Sequence, residues 1–513
     1  MPPAAVPEDV LATPFTDYLL RNAAEDRPAF TRRTFPGPAD HTLTWPQLLA
    51  RVRGVARELR RFTRPGDRVA IVARQDLDYV VAFLGTLYAG LIAVPLSVPT
   101  GRTHRARIEA AFADATPAVC LTSKDLVDKV PPTVVLAIED IQGIEPGDAE
   151  PPATVAMTDP AYLQYTSGST RRPAGAVISH RALVAGCWQT TRCYRAGAST
   201  PLVGWVPFFH DMGLVLLIAT PVFLGSRSVF CTPVEFVRDP LRWIRLLAEH
   251  PGAVTAAPNF AFDLAAEAAG ELAGVDLSQV NSLLNGSEPI RAATVENFAR
   301  AFAPFGLPRA AQKPAYGLAE ATVFVTSAGA EGPTVRTFDG GEPRVSVGRP
   351  YGQRIRIVDK EIQVAGPNVA DGYWGRDDVI APDGWLRTGD LGFVHDGELY
   401  VTGRLKDLII VDGRNHHPQD IEATVEAAHP SIRRVAAFAV RDGDGEGVAV
   451  VAGCTAPDEP VETAVRRAVS AAHDLPLRAL WLVRPGEVPR TSSGKVSRAA
   501  ARERWWGENE RHG

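Results

Sequence analysis

Five small residues, Thr166, Ser167, Gly168, Ser169 and Thr170, follow an apolar stretch and lead into Arg171, Arg172, Pro173, Ala174 and Gly175. Glycines and hydroxyl residues in succession let backbone N–H and side-chain O–H groups converge on one anion, which is what polyphosphate binding needs. Alone, such a run reads as a polar surface turn. Further segments follow in order. Asn285-Gly286-Ser287-Glu288-Pro289 offers a tight turn whose backbone can approach a planar base. Tyr316-Gly317-Leu318-Ala319-Glu320 offers a ring face for stacking and, at Glu320, a hard oxygen ligand for Mg²⁺. By itself it also reads as a helix start with a capping Glu. Asp390 ends a strand in a carboxylate suited to ribose hydroxyls, or in a plain turn Asp. Gly403-Arg404-Leu405-Lys406-Asp407 carries two cations and an acid, and Lys495 follows the small-residue run Ser492-Ser493-Gly494. That loop is not a Walker A motif: no glycine stands five residues before Gly494, and Val496 replaces the Ser/Thr.

Short apolar strands at 68–72, 118–121, 133–136 and 202–205 alternate with helix-like stretches such as 48–62. This predicts an α/β architecture with mostly parallel sheet. The segment 327–344 is rich in Gly, Pro and charge and reads as an excursion or linker. Strands are expected at 355–358, 362–364, 398–401 and 408–411. The tail has its own pattern, with helices at 420–428 and 461–473 and strands at 435–440 and 448–452, enough for a small α/β domain. Two apolar stretches, 79–96 and 213–229, approach membrane-span length but carry Gly, Thr and an internal Pro. Each reads as a buried helix followed by a buried strand.

Bulk properties narrow the class. A chain of 513 residues needs two or more domains. Charged residues at 22% and hydrophobic residues at 45% describe a globular protein, and a net charge of −5 gives no case for nucleic acid. The five cysteines form no CxxC pair, as expected of reduced cytoplasmic thiols. No signal peptide or transmembrane segment is expected.

In this order the segments resemble the adenylate-forming superfamily of acyl-CoA synthetases, peptide-synthetase adenylation domains and luciferases, from Thr42-Leu43-Thr44-Trp45 to Lys495. The finer match is to its fatty acyl-AMP ligase branch, of actinobacterial type. It rests on Ala174 where most of the superfamily has Lys, on His210-Asp211-Met212-Gly213, on Ala319 where relatives usually have Thr, and on Gly413-Arg414-Asn415-His416-His417-Pro418.

The resemblance implies a large N-terminal domain of mostly parallel sheets flanked by helices, residues 1–405, and a small mobile α/β domain, residues 406–513. It implies that carboxylate and ATP give acyl-AMP and pyrophosphate, with Mg²⁺ held by Glu320. Thr166 to Thr170 would grip the β- and γ-phosphates, Tyr316, Gly317 and the turn at Gly286, Ser287 and Glu288 the adenine, and Asp390 and Arg404 the ribose. Lys495 would be catalytic, bridging the carboxylate and the α-phosphate, and Lys406 the hinge of the small domain. His210 and Asp211, a pair that alone reads as a structural hydrogen bond, would wall the acyl tunnel from the phosphates. Asn259 and Phe260 resemble the branch's pocket-side helix start. Adjacent His416 and His417 lack the spacing of a shared metal-ligand set and read as loop residues. The acceptor would be the phosphopantetheine thiol of a separate acyl carrier protein. The rivals are a fatty acyl-CoA ligase, against which Ala174 and the segment 413–422 weigh, and a non-catalytic acyl- or adenylate-binding homologue, which would not need Lys495. The segment 327–344, the hairpin after Asp359 and the stretch between Trp374 and Trp385 are shorter than the branch's usual forms.

Overall fold

Apolar runs bounded by turn residues become parallel strands covered on both faces. Leu202–Gly204, Val254–Pro258, Ser282–Gly286 and Gln312–Tyr316 lie side by side in parallel register. They form the middle of a sheet that has nine strands among the described residues. Val254–Pro258 and Ser282–Gly286 are buried at every position, which is why they read as continuous rather than alternating apolar runs. The computed structural model describes residues 5–35, 40–99, 102–144, 147, 150–165, 174–338, 343–376, 383–411, 414–442, 445–491 and 495–507. Thr166, Ser167, Gly168, Ser169, Thr170 and Gly413 lie outside these.

A second sheet, six-stranded among the described residues, runs Val134–Ala137, Val119–Thr122, Arg68–Val72, Ile92–Pro95, Pro160–Tyr165, Gly175–Ser179. Its last pair is antiparallel and brackets the hydroxyl-rich loop between Tyr165 and Gly175. The strands expected at 68–72, 118–121, 133–136 and 202–205 fall within one residue of those observed. The helix expected at 48–62 spans Trp45–Arg60. Thr44 and Gln47 form a capping box at its start, and Trp45, Leu48, Val52, Val55 and Leu59 turn one apolar face inward.

The stretch 79–96 is the buried helix Leu77–Tyr88 followed by the buried strand Ile92–Pro95. Among the described residues no helix is long and apolar enough to cross a membrane. The second apolar stretch is less regular. A short helix, Asp211–Leu214, passes into a π-helical turn, Val215–Ala219, then into Thr220–Leu224 and the strand Ser228–Phe230. Pro221 has no N–H to give the Leu217 carbonyl, and the Ser228 hydroxyl donates to that carbonyl at 2.8 Å instead.

Four antiparallel strands follow: Arg354–Val358, Glu361–Ala365, Leu386–His395 and Glu398–Arg404. The first hairpin closes on Asp359 and Lys360, both left-handed at φ 50° and 67°, a two-residue turn made without glycine. The described parts of the excursion, 327–338 and 343–344, are tied to the fold. Val335–Arg336 pairs with Arg344–Val345, and Phe338 packs edge-on against Phe393, His395 and Tyr400 at 5.0–5.1 Å.

The tail builds its own core. The helices Pro418–Ala428 and Glu459–His473 bury Ile421, Val425, Val465 and Val469 against Val435, Val448 and Val450 of the strands Ile432–Asp442 and Gly445–Cys454. The strand Leu477–Val483 adds in parallel to Gly445–Cys454, and the helix Arg498–Trp505 covers the other face.

Candidate active site

The carboxyl ends of four parallel strands, at Gly204, Pro258, Gly286 and Tyr316, open along one edge of the large sheet. Open parallel sheets bind ligands at such an edge. The loops leaving those ends carry His210 and Asp211, Asn259 and Phe260, Ser287 and Glu288, and Gly317 with Glu320.

On one side the polar groups are fully paired. The Tyr316 hydroxyl donates to Asp390 Oδ2 at 2.7 Å, and Arg404 Nε donates to Oδ1 at 2.7 Å. Asp390 and Arg404 face each other across antiparallel strands, so sheet register fixes the pair. The Asp390 charge raises the Arg404 guanidinium, and burial pushes the Tyr316 phenol far above its ordinary value. Gly317 is required where it stands, because a Cβ would lie 1.5 Å from the Val323 carbonyl oxygen. That loop doubles back through Thr322 and Val323, both left-handed at φ 48° and 69°. A β-branched residue there stores strain, held here by the Thr322 hydroxyl donating to the Asn368 carbonyl at 2.7 Å.

Glu320 sits on the single 3₁₀ turn Ala319–Ala321 at the head of that loop. The Tyr373 hydroxyl donates to Glu320 Oε1, which leaves Oε2 for a cation. Among the described residues no three His, Cys, Asp or Glu side chains gather as a metal-ligand set. One carboxylate oxygen fits Mg²⁺ carried on a nucleotide, which takes one or two carboxylates plus phosphates and waters. His416 and His417 belong to the start of the small domain, where His417 packs against Gly403.

On the other side, charges gather that are less completely paired. His210 caps the helix Asp211–Leu214, and its Nδ1 lies 2.6 Å from Asp211 Oδ1. The Met212 N–H donates to Asp211 Oδ1 at 2.7 Å. Burial alone would raise the Asp211 carboxyl; His210, Lys495 and the Met212 N–H outweigh it and hold it below the usual range. Gly213 lets this turn sit on the preceding strand end, since a Cβ would meet the Pro207 carbonyl oxygen at 2.1 Å. The small domain brings Lys495 within reach of the charges of Asp211, Glu288, Asp390 and Arg404. Burial pulls its ammonium down against the raising effect of Asp211 and Glu288. Thr491 holds the lysine's backbone, its hydroxyl accepting from the Lys495 N–H at 3.2 Å. Glu288 follows Ser287, which is left-handed at φ 70°. Its Oε1 is buried without a hydrogen-bond partner, and burial pushes its carboxyl up to about 7 against Lys495 and Arg291.

A small cavity of about 50 Å³ adjoins this point. Met212, Gly286, Ser287, Tyr316 and Gly317 line one part; Thr190, Tyr194, Val215, Leu216, Leu284 and Phe324 are also in its wall. Asn259 and Phe260 are not among its lining residues. Asn259 is a buried hub, accepting from Asn285 Nδ2 at 3.2 Å and the Arg291 N–H at 3.3 Å and donating to Thr294 Oγ1 at 3.0 Å. Phe260 packs edge-on against Trp205 at 6.2 Å. Val215 and Leu216 of the π-helical turn, with Ala256, Leu284 and Phe324, are in the cavity wall, and such residues carry no chemical signature in sequence.

Lys406 lies on the 3₁₀ turn Leu405–Asp407 between the antiparallel sheet and the small domain. Burial, then Arg404, lowers its ammonium, while Asp407, Asp390 and Glu320 oppose. Across the seam Arg291 donates to Asp263 Oδ2 at 2.5 Å and to Glu426 of the small domain. Arg344 donates to Asp420 Oδ2 at 3.1 Å. Sequence reasoning missed both arginines and Tyr373, which stand in no motif and act only through contacts across long chain separations.

The chain matches the model described as AMP-binding enzyme over residues 20–374, and the AMP domain of Disco-interacting protein 2-like proteins over residues 406–512. It belongs to the AMP-binding enzyme family, in the fatty acyl-AMP ligase branch. The long-chain-fatty-acid–AMP ligase FadD26 of Mycobacterium marinum is 40% identical, over 95% of this chain and 96% of that protein. The putative fatty-acid–CoA ligase fadD25 of Mycobacterium tuberculosis is 40% identical, over 90% of this chain and 91% of that protein. A solved structure from a study of fatty acyl-adenylate ligases of E. coli and L. pneumophila superposes with a TM-score of 0.87 at 30% identity, over 98% of this chain and 99% of that one.

Proposed function

We propose that this ligase activates a fatty or related hydrophobic carboxylic acid as acyl-AMP and then loads the acyl group onto the phosphopantetheine thiol of a separate acyl carrier protein. The observation that supports the reading is that Lys495 lies near enough to Asp211 and Glu288 to feel their charges, and that the neighbours of those two residues, Met212 and Ser287, line an apolar cavity. In the first step a carboxylate oxygen attacks the α-phosphorus, the bond to the β-phosphate oxygen breaks and pyrophosphate leaves. Lys495 lies between the two anions that must meet, where a point charge offsets their repulsion. Tyr316, Asp390 and Arg404 hold the nucleoside. Glu320 would hold Mg²⁺, which would neutralise phosphate charge. In the second step the carrier's sulfur attacks the acyl carbon and AMP leaves. Rotation of the small domain about Lys406 withdraws Lys495 and opens the path.

ATP–pyrophosphate exchange against fatty acids of graded length, with aryl and amino acids as controls, tests the first step. Exchange with a band of fatty acids is the expected result, and exchange with aryl or amino acids alone would overturn the substrate. Product analysis with coenzyme A or a carrier protein as the sole thiol decides the acceptor. Thioester on coenzyme A alone would replace the carrier reading with the acyl-CoA ligase.

A further inference from the structure

The strand Leu386–His395 does not pair evenly with Glu361–Ala365. Leu391 stands opposite Glu361 and Arg387 opposite Gln363, so that Thr388, Gly389 and Asp390 together face Ile362 alone. The extra residues bulge out of the ladder, and a bulge is a common way to re-aim a side chain beside a site. Here the re-aimed side chain is Asp390, which meets Tyr316 and Arg404. Gly389 makes the bend at φ 69°, in the left-handed region.

Glu361 fills that bulge. Its side chain is only 10% exposed. Oε1 accepts from the Gly389 N–H at 3.0 Å, and Oε2 accepts from Arg387 Nε at 3.1 Å. One carboxylate thus spans the residues on either side of Thr388. The Thr388 hydroxyl donates to the Ile362 carbonyl at 2.7 Å and accepts from the Asp390 N–H at 3.1 Å. Glu361 is itself fixed from behind. It follows directly on the two-residue turn Asp359-Lys360, whose Lys360 carbonyl accepts from the Gly392 N–H at 2.9 Å. A carboxylate this buried costs free energy unless it is hydrogen-bonded, and these two bonds go to the bulge and its edge.

We propose that Glu361 is a positioning residue for the nucleotide: it holds the bulge in register and so aims the Asp390 carboxylate at the ribose hydroxyls. A slip of the strand by one residue toward even pairing would send Asp390 to the opposite face of the sheet, away from Tyr316 and Arg404. Glu361 opposes that slip because its acceptor oxygens match the bulged spacing of Arg387 and Gly389. The inference rests on the reading that Asp390 meets the ribose.

The test measures pyrophosphate release with one accepted fatty acid at saturation, comparing ATP with 2′-deoxy- and 3′-deoxy-ATP in wild type, Glu361→Ala, Glu361→Asp and Glu361→Gln. The readout is the ratio of kcat/KM for ATP to that for each deoxy analogue, which a loss of folded protein leaves unchanged because it scales both. In Glu361→Ala the larger ratio is expected to fall at least about fivefold, and the KM for ATP to rise while the KM for the acid holds. Glu361→Asp draws the acceptor back by one methylene and should fall part-way. Glu361→Gln keeps an oxygen for the Gly389 N–H and frees the largely exposed Arg387 to turn to water, so it should recover most of the wild-type ratio. A wild-type ratio in Glu361→Ala, or in Glu361→Asp should the Ala variant not fold, would overturn the inference. So would a Gln variant as impaired as Ala, since charge and not the held bulge would then matter. Asp390→Ala separates the two readings. Wild-type ratios there, or a wild type that does not discriminate, would overturn the ribose assignment itself; a collapsed ratio there with intact ratios in the Glu361 variants would remove only the role of Glu361.

Discussion

The two walls of the site are built on opposite plans. On the nucleoside side, Tyr316, Asp390 and Arg404 satisfy one another through bonds that sheet register fixes. On the acid side, Asp211, Glu288 and Lys495 come from two loops and a second domain, and one buried oxygen has no partner. The first wall is complete before any ligand arrives, as suits a group that is held but not transformed. The second wall carries unspent charge, as suits a place where bonds and charges change.

Substitutions that break this contrast should differ in size. Lys495→Ala removes the charge on the acid side and is expected to lower pyrophosphate exchange by about 10²–10³-fold with an unchanged melting temperature. A rate near wild type would show that the acid side does not work through its charges. Lys406→Pro touches the hinge between the walls. Transfer to the carrier should fall at least about tenfold more than adenylation, since closure and opening are separate steps. Equal losses in both half-reactions would argue that Lys406 is no hinge. Tyr316→Phe tests the finished wall. Loss of one hydrogen bond to Asp390, worth about 1 kcal/mol, should raise the KM for ATP roughly fivefold, while the KM for the acid holds. A change confined to the acid KM would reverse the assignment of the two sides. The smallest effect belongs to Arg291→Ala. Its pairs with Asp263 and Glu426 are partly exposed, so about 1 kcal/mol or less is at stake. The ratio of adenylation to transfer should shift by a few-fold and the shift should shrink in high salt; salt-independence would mean that the seam is held by packing.

The Tyr316–Asp390–Arg404 wall, proposed to hold the nucleoside, was legible in sequence because its residues lie in short motifs, although Asp390 sits inside the strand Leu386–His395 and not at its end as expected. Asp390 and Tyr316 could be named without knowing that they touch. The tail's helices and strands were legible for a related reason, since each carries its own apolar period. The acid side was only half legible. Lys495 and the His210–Asp211 pair stand in motifs, but the cavity wall is made of residues such as Thr190, Val215 and Phe324 that look like any core. Asn259 and Phe260 sit at a strand end and so attracted the pocket assignment, yet the helix start turns them into a hydrogen-bonded hub and a packing contact. Arg291 and Arg344 act across the seam, and no local pattern announces a partner more than seventy residues away.

The π-helical turn at Val215–Ala219 is one residue more than an α-helix would use. Upstream it is continuous with Asp211 and downstream with Thr220, and its Val215 and Leu216 line the cavity. Deleting a residue there would restore α geometry and swing one end about 100° against the other. A lineage that resizes the acyl pocket through this turn therefore also re-aims the carboxylate beside Lys495. The shape of the cavity and the aim of Asp211 are thus mechanically geared together through this turn.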